Sequence, residues 1–204
     1  MFKKSLIALA IGGFGIGMTE FVMMGILPDV AKDLNVTIPQ AGHFISAYAL
    51  GVVIGAPILV AIAGNYPPKK ILFSLMIGFT VFNSFSVFAS SYGLMLISRL
   101  LSGLPHGAFF GVGAVVASRL VPKEKAASAV AMMFSGLTIA NIIGIPLGTY
   151  VGHNISWRYT FMIVVAVGLV TVLAIKFWLP NIEKSEPIPL KQALKIFKRT
   201  ELWL

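Results

Sequence analysis

Six long apolar runs, separated by short polar breaks, constrain this chain more than any other feature. They occupy residues 5–28, 44–64, 71–89, 94–117, 126–151 and 159–179, and each reaches roughly the 20 residues that cross a bilayer. Backbone polar groups have no water to bond in lipid, so the runs should be α-helices; the lack of apolar/polar alternation argues against barrel strands. Only 11% of the residues are charged and 57% are hydrophobic, where a soluble domain carries about 25% charged. That balance excludes a water-soluble enzyme. The first run is too long, and lacks the small-residue cleavage site, to be a secretory signal. The expected fold is an all-α membrane bundle of six spans over residues 1–179.

The net charge of +9 would suggest nucleic acid in a soluble chain, but here it sorts by side of the membrane. With the N-terminus inside, Lys3, Lys4, Lys69, Lys70, Arg119, Lys123, Lys125, Lys176, Lys184, Lys191, Lys195, Lys198 and Arg199 fall on the cytoplasmic side, and Lys32 and Arg158 outside. Such an excess predicts an inner-membrane protein with a cytoplasmic N-terminus, partnered by lipid and not by nucleic acid. Two Asn-x-Thr/Ser triplets, Asn35-Val-Thr37 and Asn154-Ile-Ser156, fall outside. The chain has no cysteine, and neither a metal nor a cofactor is expected. Residues 180–204 read as a central loop. It holds an amphipathic helix, with Leu190, Ala193, Leu194 and Phe197 on one face and Lys191, Lys195, Lys198 and Arg199 on the other, fitting either a lipid surface or a solvated linker. Leu202-Trp203-Leu204 looks like the first turn of a seventh span, so the chain is expected to be a fragment of a longer membrane protein.

Spans one to three and four to six have nearly equal lengths. Spans one and four are both Gly-rich and carry the buried charges, while spans two and five pair Gly with Pro, in Gly51-x-x-x-Gly55-x-Pro57 and Gly144-x-Pro146-x-Gly148. Three helices followed by three of opposite orientation form the 3+3 inverted repeat of secondary transporters.

Glu20, Arg99 and His106 are the ionisable groups within the spans. Each is costly at mid-membrane, which makes it a functional candidate. Glu20 lies roughly 12 Å below the outer end of span one and Arg99 roughly 8 Å below that of span four, at about 1.5 Å per residue. The two can interact if these spans are neighbours. Glu20 then reads as a proton-binding carboxyl or as half of a structural ion pair. Arg99 reads as a substrate anchor or a helix tie, and His106 as a proton relay or a satisfied core histidine. His43 and His153 are expected to be solvated. Pro57, Pro105 and Pro146 each remove a helical hydrogen bond and permit bending. Tyr48, Asn83, Asn141 and Tyr150 are cavity candidates or helix-to-helix bonds.

The stretches GMTEFVMMGILPDVA, RLLSGLPHGAFFGVGAVVASRL and ANIIGIPLGTYVGHNISWRYTF resemble the N-terminal half of a major facilitator superfamily transporter, of the drug:proton antiporter branch that includes bacterial arabinose efflux permeases. The resemblance implies proton coupling at Arg99, bending and sealing at Gly144-Ile-Pro146-Leu-Gly148, and a membrane-embedded acid at Glu20. It also implies a small-molecule substrate carried between two six-helix halves. The loop between spans two and three departs from the family pattern. Asn65 and Tyr66 stand where an acid and an arginine are usual, and only the basic end, Lys69 and Lys70, remains. Two other classes fit less well. An intramembrane serine enzyme lacks a Gly before Ser102 or Ser135 and a histidine on a separate span, and a channel lacks a filter sequence or acidic ring.

Overall fold

The computed structural model describes residues 2–183. The helix expected near residues 190–199 and the turn at 202–204 lie outside them. Six helices long and apolar enough to span a membrane are present. Spans one to four are α1 (Phe2–Asp33), α2 (Ile38–Ala63), α3 (Pro68–Val87) and α4 (Tyr92–Arg119). Span five is divided into α5 (Ala126–Ile139), a π-helical turn (Ala140–Gly144) and α6 (Ile145–Asn154); span six is α7 (Trp157–Trp178). The first span thus runs through Pro28 to Asp33, beyond the end expected at the proline. One missing N–H is tolerated because neighbouring helices supply the packing.

Local signals account for the helix starts. Thr37 closes a capping box with Gln40 at the head of α2, Ser91 accepts from Leu94 N at 3.3 Å, and Ser156 from Arg158 N at 3.3 Å. Each supplies an acceptor to an orphan N–H of the first turn. Thr37 and Ser156 are the hydroxyl residues of both Asn-x-Thr/Ser triplets, so helix capping is a structural reason for them.

The packing carries the inverted repeat. α2 lies closely on α4 and α5 on α1, while α3 packs on α4 and α7 on α1. The contacts match residue by residue. A methyl group at Gly51 would overlap Leu100 O, and one at Gly103 would overlap Tyr48 O; correspondingly, one at Gly136 would overlap Ala10 O, and one at Gly13 would lie 2.9 Å from Met133 O. Span one therefore maps onto span four with an offset of 90 (Ala10 to Leu100, Gly13 to Gly103). Span two maps onto span five with an offset of 85 (Tyr48 to Met133, Gly51 to Gly136). The counterpart of Gly51 is Gly136, a register that the Gly–Pro pairs of spans two and five leave open.

Span five also shows why it needs a π turn. Gly136, Ala140, Gly144, Gly148 and Gly152 recur every fourth residue, and all five are buried. Along a straight α-helix of 3.6 residues per turn, a four-residue step drifts by about 40°, so the series would wind about 160° away from its starting face. One wider turn absorbs an extra residue and brings the row back onto α1. There Gly144 meets Phe14, and Gly148 meets Val22 and Met18. α2 and α4 run through Pro57 and Pro105 without such an interruption.

Two apolar clusters fill the interior. The larger, toward the basic end, includes Ile16, Met18, Phe79, Phe109 and Val164. The smaller, toward the opposite end, includes Met23, Phe44, Val87, Met95 and Phe161. On α1, α3 and α4 a set of buried polar residues lies between the two clusters: Thr19, Thr80, Asn83, Ser86, Ser98, Arg99 and Ser102. A polar layer therefore divides the core at one level of the membrane.

Candidate functional site in the polar layer

Arg99 is fully buried. Its Nη1 donates to the Thr19 hydroxyl at 3.1 Å and its Nη2 to Thr19 O at 3.0 Å. The Thr19 hydroxyl donates in turn to Asn83 Oδ1 at 2.6 Å, and Asn83 Nδ2 donates to Phe79 O at 2.8 Å. The guanidinium lies 4.4 Å from the centre of the Tyr48 ring and 5.8 Å from that of Phe161, and its Nε has no hydrogen-bond partner. Stacking on aromatic faces favours a cation where water is absent. A second tie, Ser86 Oγ to Ser98 Oγ at 2.9 Å, joins α3 to α4 one turn away.

The Tyr48 hydroxyl lies 3.1 Å from His106 Nδ1, and the His106 ring packs against Phe110 at 5.3 Å between centres. The polar layer thus extends from Asn83 through Thr19 and Arg99 to Tyr48 and His106, spanning α1, α2, α3 and α4. Glu20 follows Thr19 in sequence and is half-buried. It is not paired with Arg99: the two ion pairs among the described residues, Asp29–His153 at 2.6 Å and Asp33–Arg158 at 2.7 Å, lie elsewhere. The direct partner of Arg99 is Thr19, a residue the sequence reading passed over. A threonine in an apolar run carries no charge to draw attention, and its pairing depends on how α1 and α4 face one another.

The other candidates are placed as follows. Asn83 is buried and bonded to Thr19 across helices. Asn141 is exposed, and its amide donates to Leu137 O at 2.9 Å in its own helix; Tyr150 is exposed as well. Pro105 is buried, whereas Pro57 and Pro146 are exposed. Asn65, Lys69 and Lys70 lie at the turn from α2 into α3. There Pro67, Lys69 and Lys70 face Asn181, Ile182 and Glu183 across a cavity of about 450 Å³.

At the opposite end, His43 and His153 are exposed, as expected, and each also has a side-chain partner. His43 Nδ1 lies 2.7 Å from the Tyr92 hydroxyl, and His153 pairs with Asp29. Arg158 pairs with Asp33, donates to Ala89 O at 3.0 Å and lies 4.2 Å from the centre of the Trp157 ring. Trp157 Nε1 also donates to Asp33 at 3.2 Å. These contacts close the ends of α1, α3 and α7 together.

The profile of the Major Facilitator Superfamily matches residues 9–204. The chain is 44% identical over 202 residues to a putative transporter, AraJ, of Escherichia coli K12, a match covering 99% of this chain and 51% of AraJ. It is 33% identical over 153 residues to a chloramphenicol resistance protein of Streptomyces lividans, covering 75% of this chain and 39% of that protein. The fold is similar to a crystal structure of a bacterial homologue of the lysosomal transporter Spinster. The TM-score is 0.77 at 15% identity, covering 97% of this chain and 48% of that one. The chain spans about half the length of the curated relatives it matches. With its six apolar helices and its inverted repeat, the chain belongs to the major facilitator superfamily of multi-pass membrane transporters.

Proposed function

We propose that the protein exports small molecules, sugars or drug-like compounds, from the bacterial cytoplasm by proton-coupled alternating access. The observation that carries this reading is the polar layer. A buried guanidinium is held by Thr19, and the next residue along α1 is a half-buried carboxylate that is free of any ion pair. Fixing Arg99 on a threonine leaves Glu20 available to gain and lose a proton beside a permanent positive charge. An ion pair locked between the two would remove that freedom. In the proposed cycle, Glu20 takes a proton from the outer side and releases it inward as substrate leaves in the other direction. Tyr48 and His106, joined through the tyrosine hydroxyl, extend the polar path toward the basic end. The likeness to a chloramphenicol resistance protein supports export of drug-like compounds.

The excess of lysine and arginine at the ends of α1, α2, α4 and α7 supports a cytoplasmic N-terminus in the inner membrane. The half-length coverage supports a second six-helix half that completes the substrate cavity. In this reading the π turn and Pro146 are where span five bends during the cycle. The test is Glu20→Gln in the full-length transporter, assayed in inverted membrane vesicles. Loss of proton-driven efflux with normal membrane insertion is expected, and undiminished efflux overturns the role of Glu20.

A further inference from the structure

A wide apolar groove lies away from the polar layer. Its floor is Ala10 and Phe14 of α1, and its walls include Met132 and Ile139 of α5 and Ala166 and Val170 of α7, enclosing about 700 Å³. The polar side chain in its lining, Ser135, spends its hydroxyl on Met132 O at 2.7 Å, so the groove offers no hydrogen-bond donor to a guest. Val170 also belongs to a second hollow of about 180 Å³, which continues along α7 past Leu173 and Phe177 to Trp178. The two form one apolar track from mid-span to the basic end.

What surrounds the ends of this track identifies its occupant. Its rims are the exposed aliphatic side chains Ile7, Ile139, Val170 and Leu173, on helices long and apolar enough to cross a membrane, a surface that suits a guest from the bilayer better than one from water. Trp178 marks the interfacial level, where an indole has one apolar and one wet side. Its backbone carbonyl accepts from Ser5 Oγ at 2.7 Å, which sets the end of α7 beside the start of α1. Lys3, Lys4 and Lys176 are exposed at this end, while both ion pairs among the described residues are at the other. An apolar track ending at an interfacial tryptophan and a set of lysines matches an acyl chain joined to an anionic headgroup. We infer that this face is a specific site for one anionic phospholipid, its acyl chain in the α1–α5–α7 groove and its phosphate at Lys3, Lys4 and Lys176. Under the proposed orientation it comes from the cytoplasmic leaflet. The site is separate from the polar layer and does not depend on which solute is carried.

The test uses the full-length protein in nanodiscs, with phosphatidylglycerol or phosphatidylcholine carrying a diazirine in the acyl chain as probe. Adducts are mapped by peptide mass spectrometry. The expected result is enrichment on the segments 7–14, 132–139 and 163–170, stronger for phosphatidylglycerol. Ala166→Trp, which fills the groove, should abolish those adducts and leave labelling of α2 and α3 unchanged. Each of Lys3→Gln, Lys4→Gln and Lys176→Gln should lower the phosphatidylglycerol preference by about fivefold, the effect of one basic residue near an anionic surface. These surface changes spare the core and keep the test valid if Ala166→Trp fails to fold. Labelling spread evenly over all lipid-facing helices overturns the site. Equal capture of both lipids overturns its anionic selectivity. An unlabelled groove, as when a second protein covers it, overturns lipid as the occupant.

Discussion

Arg99 is bonded twice to Thr19, through the hydroxyl at 3.1 Å and the backbone carbonyl at 3.0 Å. A cation that could have been neutralised by the neighbouring carboxylate is instead held by neutral oxygens and two aromatic faces. That choice keeps the charge in place without consuming the acid, and it links α1 to α4 through the same hydroxyl that binds Asn83 of α3.

Thr19→Val retains the shape but removes the acceptor for Arg99 Nη1 and the donor to Asn83. We expect a loss of about 1.5–3 kcal/mol, the range for a hydrogen bond to a charged group, read as a lower midpoint of thermal unfolding in detergent. Thr19→Ser should recover most of it. Equal behaviour of the two variants would show that the hydroxyl bears no load.

Arg99→Lys keeps the charge but cannot reproduce two parallel bonds and the stacking on Tyr48. Transport should fall about tenfold or more, equivalent to losing at least 1.4 kcal/mol, while the amount of inserted protein stays near wild type. Full activity in Arg99→Lys would mean that charge alone suffices.

The inverted repeat predicts matched damage. Gly51→Val and Gly136→Val press on Leu100 O and Ala10 O, and overpacking of this kind costs about 1–3 kcal/mol. Both should lower expression and thermal stability to a similar degree. Gly42, within α2, has open space around it, so Gly42→Ala should be neutral or stabilising by up to about 1 kcal/mol. A large difference between Gly51→Val and Gly136→Val would argue against equivalent contacts.

Asp33 and Arg158 join the ends of α1 and α7 at 2.7 Å while partly exposed. A double-mutant cycle with Asp33→Asn and Arg158→Lys should give a coupling of about 0.2–1 kcal/mol, decreasing with salt. Arg158→Ala should cost more than the cycle reports, because Ala89 O and Trp157 also lose a partner.

The number of spans, their order and the inverted repeat were legible because lipid imposes length and hydrophobicity on every crossing segment. Arg99 and His106 were legible as charges out of place. Thr19 was not, since an uncharged residue reveals its role only when the facing helix is known. Asn83 was ambiguous for the same reason, as its partner lies 64 positions away. The residue-level register of the repeat was not legible because several glycines in span five could match Gly51, and only the close approach of backbones selects Gly136. His43 and His153 were legible as exposed groups, but their partners Tyr92 and Asp29 were not, because the residues beside them in sequence say nothing of either.

The π turn has a mechanical consequence. Span five holds one residue more than a regular helix of its length requires, and contact with α1 keeps that surplus in place. If the turn reverted to α-helix, α6 would rotate by about 100° and advance by about 1.5 Å. Gly144, Gly148 and Gly152 would leave the surface of α1, and larger side chains would have to take their place. The two halves of this span are therefore held in phase by their neighbour, and the azimuth of α6 is a property of the contact, not of α6 itself.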